Sequence, residues 1–288
     1  MQIRDLESLG APVPRVTALG YFDGGHIGHR ALIGEAVRLA KDMGCKCAVF
    51  SFPTLPTKQG APLFTLTRRL SFFEEMGVDT VILVPFASVR DRSAEDFVQT
   101  TLRKQIGTVR AVCGFNFRFG RGALGDGALL SRLLPESIVL PPTLYAGEPV
   151  STSRIRCALA QGRIEEASAM LGAPYTVTGT VTHGKAVGRM LGYPTANITC
   201  DTALPRFGVY KTRVWIDGVA YDGLSDVGVR PTAETAGDVR VETFLRNFTG
   251  DLYGKTLAIS FLSFVREEIK FDSFAALTAQ IARDLENL

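Results

Sequence analysis

No run of apolar residues in this chain approaches the roughly 18–20 needed to cross a bilayer as a helix. Met1–Pro14 carries Arg4, Asp5 and Glu7 and has no long apolar core, so no secretory leader is expected. Charge of one sign is also scarce. Lys and Arg total 32 against 29 Asp and Glu, a net +3, which gives no electrostatic case for a nucleic-acid or membrane-surface partner. The five cysteines, Cys45, Cys47, Cys113, Cys157 and Cys200, are scattered. Cys45 and Cys47 are too close for a zinc knuckle, and no second Cys or His pair completes a site. They are expected to be reduced thiols of a cytoplasmic protein, and the glycosylation patterns at Asn197 and Asn247 are then fortuitous.

What remains is a globular composition, 46% hydrophobic and 21% charged, in 288 residues, enough for two domains. The first half alternates strand-like and helix-like segments. Val16–Leu19 is an apolar run followed by a Gly-rich turn, and Ala31, Leu32, Ala36, Leu39 and Ala40 then recur at helical spacing up to Gly44. Cys47–Phe52, Thr80–Val84 and Val109–Cys113 read as strands, with helices over Arg68–Met76 and Ala94–Arg103. Alternation of this kind predicts a parallel α/β sheet. From Tyr175 to Phe264 only strand signals occur, at Thr176–Thr182, Gly208–Ile216, Val239–Phe244 and Leu257–Phe264, which predicts an antiparallel barrel or sandwich. A last helix follows, capped by Asp272 or Ser273, with Phe274, Leu277, Ile281 and Leu285 on one face. Arg154–Leu171 reads as a linking helix ending at Gly172. The expected domains are therefore residues 1–172 and 173–288.

Two of the chain's three histidines fall in Gly20-Tyr21-Phe22-Asp23-Gly24-Gly25-His26-Ile27-Gly28-His29, where the first strand turns into the first helix. Glycines there let backbone approach a ligand closely, and a helix N-terminus offers free N–H groups to phosphate. Paired imidazoles beside that anchor suit phosphate oxygens and a departing pyrophosphate. This stretch resembles the signature of the HIGH-type nucleotidyltransferases, in the form used by prokaryotic bifunctional riboflavin kinase/FMN adenylyltransferases. The second signature of that superfamily is matched by Ser151-Thr152-Ser153-Arg154-Ile155-Arg156. Hydroxyls at a helix start followed by a cation would form a triphosphate clamp. Gly114-Phe115-Asn116-Phe117-Arg118-Phe119-Gly120 resembles the family's flavin and nucleotide loop, with Asn116 where Asp is frequent. Phe50-Ser51-Phe52-Pro53-Thr54-Leu55-Pro56 lacks the His that usually follows the family's second strand.

In the second half, Gly179, Gly184, Gly188-Arg189 and Pro194-Thr195-Ala196-Asn197 resemble the riboflavin kinase signature. By that resemblance Thr195 and Asn197 help hold magnesium-bound nucleotide, Glu242 is the general base, and Arg230 and Arg266 serve the flavin. Asp226 stands where the family usually has Asn. Two decoys are set aside. Gly120–Gly125 fits the dinucleotide fingerprint outside its strand–turn–helix context, and Gly179–Lys185 fits a P-loop except at Ala186. The resemblance thus implies ATP, riboflavin and FMN as substrates, FAD as product and Mg2+ as cofactor, with no nucleic acid and no membrane partner. Nucleotide contacts are expected at Gly20, Phe22, Asp23, Gly24, Gly28, Asn116, Ser151, Thr152, Ser153, Arg156, Gly184, Gly188, Arg189, Pro194, Thr195 and Asn197, and flavin contacts at Phe117, Arg118 and Phe119. His26 and His29 are expected to stabilise the transition state of adenylyl transfer. A chain with one working activity and the oligomeric state stay open at this point, whereas a flavin-sensing or RNA-regulating protein on the same scaffold is disfavoured by the presence of His29 and Glu242.

Overall fold

The computed structural model describes residues 1–54, 60–182, 195–229 and 239–286. Among the expected site residues, Gly184, Gly188, Arg189, Pro194 and Arg230 lie outside them, as does part of the Phe50–Pro56 loop. The chain divides into two compact units, Met1–Thr152 and Ser153–Leu288.

In the first unit β1 (Gln2–Arg4), β2 (Arg15–Leu19), α1 (Ile27–Asp42), β3 (Lys46–Ser51), α2 (Leu66–Glu75) and β4 (Thr80–Leu83) follow one another. Helix α3 starts at Ala94–Asp96 and continues with π winding over Phe97–Ile106, so its buried residues, Phe97, Val98, Thr101, Leu102 and Ile106, recur at slightly wider spacing than an α-helix gives. After it come β5 (Thr108–Gly114), the small ribbon of β6 (Arg118–Phe119) and β7 (Gly125–Asp126), α4 (Gly127–Leu133), β8 (Ile138–Leu140) and the ribbon of β9 (Leu144–Tyr145) and β10 (Glu148–Pro149).

Six strands form one sheet in the order β1-β4-β3-β2-β5-β8, and every pair is parallel. Strand β2 is buried along its whole length, as a central parallel strand covered on both faces must be. One apolar layer joins Val16, Ala18, Leu32, Ala36, Phe72 and Phe73; the other joins Leu19, Phe50, Phe97, Phe119 and Leu130. The order reverses direction at β2, with β3 on one side and β5 on the other. Ligands bind beyond the carboxyl ends of strands at such a switch point. Those ends lead into Gly20–His26 and into the Phe115–Phe119 loop.

In the second unit α5 (Thr152–Ala160, its Thr152 belonging to the first unit) and α6 (Ile164–Leu171) precede the barrel. The single helix expected over Arg154–Leu171 is broken by Gly162 in a left-handed conformation, φ +74°. The division at Thr152 falls ahead of the boundary expected at residue 172, because α6 packs on the barrel strands. These are β11 (Tyr175–Thr182), β12 (Thr195–Cys200), β13 (Gly208–Ile216), β14 (Val219–Val229), β15 (Val239–Leu245) and β16 (Thr256–Arg266), closed in the order β11-β12-β15-β14-β13-β16. Inside it, buried Thr212, Ser225 and Thr243 form a hydroxyl chain with spacings of 2.9 and 2.7 Å, each hydroxyl satisfying the next. Helix α7 (Phe274–Glu286) follows, with Ser273 Oγ accepting the Ala276 N–H.

Candidate active sites

His26 is the N-cap of α1, and its Nδ1 accepts the His29 N–H at 3.2 Å. A neutral ring that accepts at Nδ1 carries its proton on Nε2, so His26 offers an N–H donor. The two imidazoles stack with centroids 3.5 Å apart and planes inclined by 17°. Burial pushes His26 down to about 4 and His29 well below its ordinary value, the His26 charge adding to the effect on His29. The His29 Nδ1 is buried with no hydrogen-bond partner among the described residues. Both rings are therefore neutral hydrogen-bonding groups at pH 7.

The turn is built tightly beneath them. Phe22, 2% exposed, adopts φ +63° and sets its ring edge-on to His29 at 5.3 Å and to Phe73 at 5.8 Å. A Cβ at Gly28 would lie 3.2 Å from His26 Cε1, so alanine there would press that ring aside by a few tenths of an ångström. Asp23 is buried, and its carboxylate accepts from the N–H groups of Leu63 (2.9 Å) and Phe64 (2.9 Å). It thereby fastens the turn to the segment leading into α2, a structural task beside the nucleotide contact expected of it. Thr152 Oγ1 donates to the Asp23 carbonyl at 3.2 Å, which ties Thr152 to the same turn. Ser151 is half-buried and Ser153 exposed. Arg154 lies 3.7 Å from Glu166.

Beyond the neighbouring strand ends stands a group of aromatic rings. Phe52 packs edge-on to Phe50 at 5.6 Å and to Phe86 at 5.3 Å, and Phe117 stacks on Phe119 at 5.6 Å. Phe119 belongs to the core, 7% exposed, against Phe97. Asn116 and Arg118 are exposed. Phe115 (46% exposed) and Phe86 (40%) present more open surface than Phe119, and neither was singled out for the flavin from the sequence.

Arg69 belongs to none of the sequence motifs. It is 2% exposed on α2 and donates to the carbonyls of Tyr21, Phe52 and Pro53. Its signal was a cation on an apolar helix face, three and four residues before Phe72 and Phe73.

In the barrel, Thr195 Oγ1 donates to Glu242 Oε1 at 2.5 Å. Glu242 pairs across the sheet with Asn197 on β12 and with Asp226 on β14, so the three form one row on a single face. Glu242 is exposed and Asn197 half-buried. The Asp226 Oδ1 is buried with no partner among the described residues. Burial pushes Asp226 up to about 6, with Glu268 and Glu242 adding to it and Arg266 opposing. Glu268 Oε1 lies close over Gly228, two residues along β14 from Asp226, and a Cβ there would collide with it. Arg266 spends its guanidinium on Asp284 of α7, at 2.9 Å from Nε and 2.8 Å from Nη2.

The FAD synthetase family matches residues 11–154 and the riboflavin kinase family residues 171–288. A bifunctional riboflavin kinase/FMN adenylyltransferase of Listeria monocytogenes is 31% identical over 285 residues, spanning 94% of this chain and 90% of its own length. The chain belongs to the bifunctional riboflavin kinase/FMN adenylyltransferase family. A member from Pseudomonas fluorescens is 34% identical over 281 residues, covering 94% of this chain and 90% of that protein. A crystal structure described as a macrolide-efflux protein from Streptococcus pneumoniae aligns with a TM-score of 0.89 and 30% identity, over 99% of this chain and 97% of that one. No helix among the described residues here is long and apolar enough to cross a membrane. Both units of the family are thus present in order, the parallel sheet first and the closed barrel second.

Proposed function

We propose that this chain makes FAD from riboflavin in two ATP-dependent steps, one in each unit, as a cytoplasmic enzyme. The observation that carries this reading is that each unit brings its own motif residues together. His26, His29 and Thr152 meet at the turn after β2, and Thr195, Asn197 and Glu242 meet on one face of the barrel.

In the kinase step Glu242 accepts the proton of riboflavin's terminal ribityl hydroxyl. The freed oxygen bonds to the γ-phosphorus of ATP as the bond to the bridging oxygen breaks, and ADP leaves. Thr195, donating to Glu242, keeps that carboxylate turned toward the substrate side of the row. Thr195 and Asn197 supply neutral oxygens, which suit a Mg2+ ion whose other ligands are phosphates. When bound, that ion would offset charge on the nucleotide's phosphates.

In the second step a phosphate oxygen of FMN attacks the α-phosphorus of another ATP and pyrophosphate leaves. No protein nucleophile is required. His26 donates from Nε2 to phosphate oxygens, the N-terminus of α1 contributes its unpaired N–H groups, and the Ser151–Arg156 segment holds the triphosphate. The aromatic rings beyond β3, β4 and β5 offer the isoalloxazine a flat apolar seat.

A second reading, in which only adenylyl transfer operates, is favoured by Asp226, whose carboxyl adds negative charge beside Glu242. Paired variants separate the two. Glu242→Gln is expected to lower FMN formation from riboflavin by about 10²-fold or more while FAD formation from FMN continues. His29→Asn is expected to do the reverse. If Glu242→Gln leaves an active kinase step unchanged, Glu242 is not the base.

A further inference from the structure

The turn that carries both histidines contains a bulky residue in a conformation bulky residues avoid. Phe22 at φ +63° is a steric outlier for a side chain with a Cβ. Such a conformation persists only where its surroundings over-determine it, and it concentrates at working sites. Two anchors bracket Phe22. On one side the Asp23 carboxylate accepts the Leu63 and Phe64 N–H groups. On the other, Arg69 Nη1 donates to the Tyr21 carbonyl at 3.2 Å, and the guanidinium lies 4.1 Å over the Tyr21 ring. Arg69 Nη2 reaches the carbonyls of Phe52 at 2.6 Å and Pro53 at 3.2 Å, in the loop after β3. One planar fork therefore fixes the ends of two adjacent strands' loops.

The choice of residue is informative. Burying a cation is costly unless it is satisfied; the Arg69 guanidinium donates to three carbonyl oxygens, and the Asp23 carboxylate draws on its charge. A tie made for stability alone has cheaper solutions. Arg69 also sits one contact from the catalytic pair, because Tyr21 precedes Phe22 and the Phe22 ring abuts His29 at 5.3 Å.

We propose that Arg69 is a positioning residue for adenylyl transfer: its fork holds the strained Phe22 turn in the shape that sets His26 and His29 against the nucleotide. This rests on the adenylyl-transfer reading given above. The guanidinium acts through the Tyr21 carbonyl and not on the substrate. Lysine, a point charge with no planar fork, fixes one loop but not both.

The test compares Arg69→Met and Arg69→Lys with the wild type in steady-state FMN-to-FAD kinetics, using the riboflavin kinase step of each preparation as an internal control of folding. For Arg69→Met kcat is expected to fall by about tenfold to a hundredfold, the scale of a small misplacement of catalytic groups, with KM for ATP little changed. Arg69→Lys is expected to fall between, and the kinase step to match wild type. Unimpaired FAD formation by Arg69→Met, beside an active wild type, overturns the inference alone. So does a loss that follows only the unfolded fraction as temperature is raised, since that is a purely structural role. A wild type that makes no FAD from FMN overturns the underlying reading, and the inference with it.

Discussion

His26 accepts the His29 backbone N–H at its Nδ1 while the two rings stack 3.5 Å apart, so the His26 ring is held in one tautomer and one orientation before any ligand arrives. Protonating His26 at Nδ1 removes that acceptor. An unfolded histidine takes up a proton near its ordinary value of 6.5, whereas folded His26 resists until about 4. The unfolded state therefore binds more protons between these values, and stability falls as pH drops from 6.5 towards 4. The loss attributable to His26 is up to about 3 kcal/mol. Thermal melting of the wild type and His26→Asn at pH 7.5 and 4.5 checks this. The wild type should lose much more than the variant on acidification.

Gly28→Ala separates stability from activity. In a helix interior alanine stabilises relative to glycine by about 0.5–1 kcal/mol, and the same sign holds more weakly at Gly28, the second residue of α1. Here its methyl would lie 3.2 Å from His26 Cε1 and 3.3 Å from Nδ1. The melting temperature should hold or rise while FAD formation from FMN falls by about tenfold, as expected for a displaced catalytic group. Unchanged kinetics would mean that the ring position at His26 is unimportant.

Asp226→Asn tests the other unit. Folded Asp226 takes its proton at about 6 and the unfolded carboxyl near 3.8, because burial and the charges of Glu268 and Glu242 oppose its ionisation. Here the folded state binds the extra proton, so stability is lost as pH rises through 3.8 to 6 and stays lost above. The amide variant should be more stable than wild type at pH 8 by about 1–2 kcal/mol, and indistinguishable at pH 4. Its kinase step at pH 8 should be at least as fast as that of the wild type. Denaturant melts at the two pH values measure the first and FMN release the second.

Thr195 offers a shorter test. Removing its hydroxyl in Thr195→Val frees Glu242 from its 2.5 Å partner, so the kinase step should slow by about 10-fold or more. Thr195→Ser, which restores the donor, should recover most of the rate. Equal loss in both variants would mean that the hydroxyl donated to Glu242 does not by itself account for the rate.

Much of this architecture is legible in the sequence because hydrophobic period and turn chemistry agree. Helix α1 follows from Leu32, Ala36, Leu39 and Ala40, and buried β2 from its apolar run. Strands β12 and β14 are not marked as strands by the hydrophobic pattern. Thr195–Cys200 was taken up by its motif, and Val219–Val229 contains Asp222, Gly223, Asp226 and Gly228, residue types that strands disfavour. Closure of the barrel tolerates them by pairing β14 on both sides. At the sites, the histidines and Glu242 were visible from motifs. Arg69 was not, because its partners are backbone carbonyls, which leave no trace in a pattern of side chains. Asp226 was visible only as a departure from the family. Its link to Glu242 emerged from strand register.

The most direct test of the central claim is chromatography of the flavins formed by the purified chain with ATP and Mg2+, in parallel reactions started from riboflavin and from FMN. Two working sites predict FAD from both, with FMN appearing before FAD in the first. FAD from FMN alone would contradict the two-step account and leave an adenylyltransferase with a silent barrel; no flavin converted in either reaction would contradict it entirely.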